Sequence, residues 1–297
     1  MTRALSPALM QSLETGLLAP LAERVRGDHT LYLALRGEGL NLYYRGANLM
    51  RVDRAAKGFE VFFDDAYASP GPSPAPSRTR LTAAPELAAW CDALAAMKDC
   101  VDRYLARHGK AERALQQRLV DENNRGRVAR QSDVFIADIE YAEGDARFDA
   151  LGVLWSAESA HRKDDTRARL VLLELKYGDE ALTGAAGLEA HLADLARLFA
   201  TPGRIAALEA EVLAMFEQQR ALGLINVGKP LRAFGAGPPW ALLVLANHNP
   251  RSEVLRRILA GLGPLPFELR IARASLMGLG LYEASMRTVD AALREGV

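Results

Sequence analysis

Two stretches decide the fold: ARFDALGVLW, residues 146–155, and RLVLLELKYG, residues 169–178. Both alternate with period two, the spacing at which successive side chains of a strand leave on opposite faces. In the first, Arg147, Asp149, Leu151 and Val153 share one face, and Phe148, Ala150, Gly152 and Leu154 the other. In the second, Leu170, Leu172, Glu174 and Lys176 share a face, so an acid and a base project together, ~7 Å apart between Cα atoms. Carboxylates set among Leu, Val and Trp are costly unless they are paired or bound to a metal. Two carboxylates on neighbouring strands can hold Mg²⁺ through oxygen ligands, and the ion then neutralises charge on a scissile phosphate. Lys176 beside that phosphate would orient or deprotonate the attacking water and stabilise the transition state, with the Leu175 carbonyl as one more hard oxygen ligand.

Working outward, VFIADIEYA (134–142) reads as a strand before this pair, and Ala111–Arg125 and about Pro85–His108 as helices before it. After it come helical periodicity over Leu182–Ala200 and Arg204–Leu222, a short apolar strand in WALLVLANH (240–248), a helix in SEVLRRILA (252–260) and a strand in FELRIARA (267–274). The predicted order is α-β-β-β-α-α-β-α-β. Nearer the N-terminus, Leu13, Leu17, Leu18 and Leu21 predict an opening helix over residues 5–26. LYLAL, LNLYY, NLMRV and FEVFF, separated by RGEG, RGA and RAAKG, then predict an antiparallel meander of about four strands. The Pro/Ser-rich stretch AYASPGPSPAPSRT (66–79) is the best linker candidate. The expected division is therefore 1–80, a helix and β-meander module, and 81–297, an α/β domain with a leading helix.

Lys plus Arg equals Asp plus Glu, 37 each. The chain thus has no overall cationic field to draw it onto nucleic acid, and any such contact must come from local patches. No apolar run is long enough to span a bilayer and the N-terminus has no signal-peptide pattern, so a cytoplasmic protein without membrane contact is expected. Cys91 and Cys100 lie nine apart, a spacing of neither a redox pair nor a zinc site, and are expected as core thiols. GLINVGK (223–229) imitates a P-loop, but Pro230 replaces the Mg²⁺-binding hydroxyl and no strand precedes it, so it is not a nucleotide site.

A helix, three strands with Asp on the second and Glu-x-Lys on the third, then helix and strand, resembles the PD-(D/E)XK nuclease superfamily over about residues 110–275. The resemblance implies a restriction-endonuclease-like three-layer core with a mixed β-sheet. It makes Asp149 and Glu174 metal ligands and Lys176 catalytic. Phe148 stands where a Pro often precedes the Asp. The activity implied is Mg²⁺-dependent phosphodiester hydrolysis, with Mn²⁺ as a substitute, on DNA in preference to RNA, in a restriction, antiviral-defence or repair setting. A homodimer or a partner protein subunit would complete it.

Glu122 falls on the apolar stripe of Leu115 and Leu119 and resembles the acid that many members place on the first helix. Its alternative is a helix-end carboxylate in water. Asp138 and Glu140 share a face of the first strand, where either could reach the site or be solvated. His191 lies on the Leu188, Leu192, Leu195 face and is either a phosphate neighbour or a satisfied core histidine. Arg125, Arg127, Arg130 and Arg147 are candidates for a nucleic-acid clamp, against plain surface charge. Two other functions stay open: a catalytically silent nuclease fold serving as a binding or assembly subunit, and an RNA-directed nuclease in which Tyr43 and Tyr44 stack on bases instead of packing the meander.

Overall fold

The computed structural model describes residues 2–109, 111–126, 129–143, 146–163, 167–275 and 278–295. It divides into two compact units, Met1–Asp121 with Gln218–Ile225, and Glu122–Glu217 with Asn226–Val297. The chain is mixed α/β with two sheets, one antiparallel and one mixed. Among the described residues no helix is long and apolar enough to cross a membrane.

The first unit is built on an antiparallel meander of five strands in chain order: β1 (Leu31–Leu35), β2 (Gly39–Tyr44), β3 (Ala47–Arg54), β4 (Phe59–Phe62) and β5 (Arg78–Leu81). The expected opening helix is two, α1 (Pro7–Glu14) and α2 (Ala19–Gly27). Pro20 enters the first turn of α2, where a residue lacking an N–H can start a helix but could not continue one. α3 (Ala84–Arg107) buries Leu87, Trp90, Cys91, Leu94, Met97 and Val101 along one stripe and packs on β3 and β5. Cys91 and Cys100 are buried thiols.

The units divide at Asp121 and Glu122 and not in the Pro/Ser-rich stretch. That stretch leaves β4 and returns as β5, which pairs with β4 from Phe59↔Leu81 to Phe62↔Arg78. The fifth strand is four residues long, and its Arg78 and Arg80 face Glu60 in exposed ion pairs, so it carries almost no apolar pattern. The first turns of α4 (Ala111–Asn124) also belong to this unit. There Gln117 accepts from Gly46 N at 2.7 Å and donates to Thr30 O at 2.6 Å and Tyr43 O at 3.1 Å. Late in the chain, Gln218 Oε1 accepts from Leu5 N and its Nε2 donates to Leu5 O, both at 2.8 Å.

The second unit carries a six-stranded sheet in the order β11-β10-β9-β8-β7-β6. The strands are β6 (Val134–Glu143), β7 (Ala146–Leu154), β8 (Arg169–Tyr177), β9 (Trp240–Ala246), β10 (Glu268–Ala274) and β11 (Arg287–Thr288). β6, β7 and β8 form an antiparallel meander, β8, β9 and β10 run parallel, and β11 closes the edge antiparallel. α5 (Leu188–Ala200) and α6 (Arg204–Ala221) connect β8 to β9, α7 (Glu253–Gly261) connects β9 to β10, and α8 (Val289–Glu295) follows β11. The helix and strand order expected for this half is the order found, with β11 and α8 added. All seven residues of β9 are buried, the mark of a parallel strand covered on both faces. Gly152 on β7 is required by close approach, because a Cβ there would lie 2.4 Å from the Phe135 carbonyl oxygen.

Buried polar residues at the start of β6 hold the sheet in place. Asn124 donates to Ile136 O at 2.7 Å and accepts from Ile136 N at 2.8 Å, so its amide acts as one more ladder rung. Asn123 bonds Leu279 O, Leu281 N and the Ser132 hydroxyl, and Asp133 accepts from Ala157 N and Glu283 N. Each satisfied backbone group here avoids a desolvation cost of about 1–3 kcal/mol.

Candidate active site

Glu174 and Lys176 lie near the C-terminal end of β8, where the sheet interior leaves them only 6% and 5% exposed. Lys176 Nζ is 2.9 Å from Glu174 Oε1 and donates to the Ala186 carbonyl, also at 2.9 Å. His191, in the first turn of α5, sets its Nε2 3.1 Å from that same Glu174 oxygen and 3.1 Å from that same carbonyl. Two donors thus share two acceptors, and the backbone oxygen of Ala186 closes the ring.

The partners fix the state of the imidazole. Both are acceptors, so Nε2 carries the proton, a tautomer assigned from the network. Burial first, and the Lys176 charge second, hold the His191 pKa below its ordinary 6.5. At neutral pH the imidazole is therefore neutral, and its approach to Glu174 is not an ion pair. Nδ1 is left as a bare acceptor, buried and without a hydrogen-bond partner among the described residues.

Asp149 is brought to the same place by register. β7 and β8 pair up to Ala150↔Leu173, and one further step sets Asp149 across from Glu174. At that step the carboxylate replaces the backbone ladder: Leu175 N donates to Asp149 Oδ2 at 2.7 Å. In an antiparallel ladder a residue's N–H and C=O face the same neighbour, so the Leu175 carbonyl opens toward the same edge. On the other side of β7, pairing passes from Ile139↔Ala150 to Tyr141↔Phe148, which leaves Glu140 opposite Asp149. Glu140 has φ 53°, a left-handed backbone that costs a non-glycine residue about 1–3 kcal/mol and tends to occur at functional sites. Asp138, two residues earlier, is fully buried. Phe148 is also buried, and its ring stacks on Tyr141.

The remaining expected residues are placed as follows. Glu122 is half-buried at the end of α4, with Oε2 3.1 Å from where a Cβ on Gly126 would stand, and among the described residues no hydrogen bond or ion pair joins it to Asp149, Glu174 or Lys176. Arg125 is half-buried, Arg130 and Arg147 are exposed, and Arg127 lies outside the described residues. Tyr43 is buried and stacked on Tyr32. Tyr44 donates to Asp102 at 3.0 Å, and burial together with that carboxylate pushes its phenol up to about 12.

Among the described residues no group of three or more His, Cys, Asp or Glu side chains is gathered as a metal site. The donors nonetheless fit Mg²⁺, which takes one or two protein carboxylates and fills its remaining positions with water and phosphate oxygens. Asp149, Glu174 and the Leu175 carbonyl are hard oxygens at adjacent positions where the β7–β8 ladder ends.

Sequence reasoning missed two features. The Ala186 carbonyl is a backbone group and has no side-chain signal. His248 and Asp179, joined Nδ1 to Oδ1 at 2.5 Å, follow the C-terminal ends of β9 and β8, where ligands of parallel sheets bind. Their signal was a polar residue two positions after each of two apolar strands. No family model, curated protein or solved structure matches the chain.

Proposed function

We propose that the second unit is a PD-(D/E)XK-type nuclease with a restriction-endonuclease-like core, hydrolysing phosphodiester bonds, in DNA before RNA, with Mg²⁺ or Mn²⁺. The observation that carries this is a Glu174–Lys176 pair sealed in the sheet, with Asp149 facing it across the ladder. Asp149, Glu174 and the Leu175 carbonyl would hold the ion. Bound there, it would neutralise charge on the phosphate and acidify a water ligand. Lys176 sets a positive charge against the negative charge that develops on the phosphoryl oxygens and orients the attacking water. Water oxygen bonds to phosphorus, the bond to the leaving sugar oxygen breaks, and that oxygen takes up a proton. Neutral His191 holds the Ala186 carbonyl in place through Nε2, beside Glu174, without competing with Lys176 for charge. A homodimer or a partner subunit would supply the rest of the substrate surface, because the chain's net charge is zero.

The test is cleavage of duplex DNA, single-stranded DNA and RNA with Mg²⁺, Mn²⁺ or EDTA, comparing wild type with Asp149→Asn and Lys176→Met. Metal-dependent cutting by wild type, reduced by at least about 100-fold in both variants, is expected. Equal inertness of all three, with no metal binding that depends on Asp149 by calorimetry, would overturn the proposal in favour of a silent assembly subunit.

A further inference from the structure

The rows of the sheet link the candidate catalytic residues to its far edge. Lys176 is in register with Leu245, and Leu245 with Arg273. Glu174 is in register with Leu243, Leu243 with Ile271, and Ile271 with Arg287. Side chains in register on adjacent strands leave on the same face, so Arg273 and Arg287 share the face of Lys176 and Glu174. Arg273 stands two strand spacings from Lys176, ~10 Å across the sheet.

A cavity of about 610 Å³ opens at this edge, lined by Arg270, Arg273 and Arg287 with the hydroxyl residues Ser285 and Thr288. Its lining has no carboxylate and no aromatic ring. Arg270 alternates to the opposite face, 4.6 Å from the Trp240 ring centroid and hydrogen-bonded to Glu268, and only borders the cavity at the sheet edge. Arg287 pairs with Glu295, but the two side chains are 41% and 60% exposed, and such pairs are readily exchanged for another anion. Arg273 is exposed and makes no hydrogen bond or ion pair among the described residues.

The guanidinium groups of Arg273 and Arg287, with the Ser285 hydroxyl beside them, suit phosphate oxygens, which Arg grips two at a time. With no ring for a base to stack on, the cavity reads backbone and not sequence. We propose that this arginine groove binds the phosphodiester backbone of the substrate strand, about three nucleotides from the phosphate being cut, taking ~3.4 Å of duplex axis per nucleotide. The proposal rests on the nuclease function proposed above.

The test is fluorescence anisotropy of labelled duplex and single-stranded oligonucleotides and of a labelled mononucleotide, with Ca²⁺ in place of Mg²⁺ across a salt series, beside Mg²⁺ cleavage assays. Wild type is compared with Arg273→Glu and with Arg273→Ala/Arg287→Ala, and thermal melts confirm folding. Expected are a roughly ten-fold or greater drop in oligonucleotide affinity and a salt slope shallower by about 0.7–0.9 for each phosphate no longer neutralised. In cleavage, KM should rise and kcat should be kept. If wild type cuts and both variants bind and cut as it does, the groove is overturned and the nuclease stands. If an Arg273-dependent ligand is the mononucleotide alone, the groove serves a free nucleotide and the proposal fails. If wild type neither binds nor cuts any nucleic acid, groove and nuclease fall together.

Discussion

In the first unit the buried polar side chains among the described residues are the amides of Gln116, Gln117 and Gln219, whereas the second buries Asp133, Asp138, Glu174 and Lys176 besides Asn123, Asn124 and Ser132. Gln117 shows what an amide does in such a place. It supplies hydrogen bonds to Gly46, Thr30 and Tyr43 that the meander's backbone lacks, and its work is architectural. Lys176 serves one backbone group, the Ala186 carbonyl, but its charge and that of Glu174 are not needed for that. Well-packed apolar residues of similar volume would hold β8 as well or better, because desolvating two charges offsets much of their attraction. The first unit buries only neutral amides, whereas the second also buries an acid and a base side by side.

The largest expected effect separates these two uses. Lys176→Met leaves the Glu174 carboxylate buried without its cation and should lower stability by about 3–5 kcal/mol in urea unfolding, whereas Glu174→Leu/Lys176→Met should be neutral or stabilising. A harmless single variant would erase the contrast, as would a double variant that is worse than the single. Next is Gln117→Ala, which strips partners from three backbone groups and should cost about 1–3 kcal/mol. Cleavage per folded molecule should stay unchanged, and a loss of cleavage with full stability would show that the first unit takes part in the reaction.

The smallest effect is the pH dependence contributed by His191. Its pKa is lowered on folding, so between that lowered value and 6.5 the unfolded chain binds more protons than the folded one. The stability it contributes is complete above pH 6.5 and is lost as the pH falls through the window below it. Stability curves from about pH 8 to about pH 5 should flatten on that acid limb in His191→Gln, which keeps a donor for Glu174 and Ala186. An unchanged limb would assign the acid sensitivity to other groups.

The strands of the second unit could be read from the sequence because long alternating or wholly apolar runs reflect burial residue by residue. Charges embedded in such a run, as at Asp149, Glu174 and Lys176, stand out against it. The limits of the first unit could not be read that way. β5 alternates over four residues with two exposed arginines, and the Pro/Ser stretch before it has the composition of a linker while connecting two paired strands. The bonds that set the division join residues far apart in sequence, such as Leu5 and Gln218, and periodicity does not record them. The site was legible as far as its side chains share a strand face. The Ala186 carbonyl and the left-handed backbone of Glu140 were not, since neither depends on residue type.

Gln218–Ile225 leaves α6 to join the first unit, and the chain then returns to the second. Neither unit is therefore encoded by one uninterrupted stretch of the gene. A fragment starting at Glu122 would carry the Gln218 amide with no Leu5 to receive it, and one ending at Asp121 would lack it. Anyone seeking the smallest piece that carries the second unit must excise an internal segment and splice the cut ends, because truncation from either terminus leaves an orphan of the other unit behind.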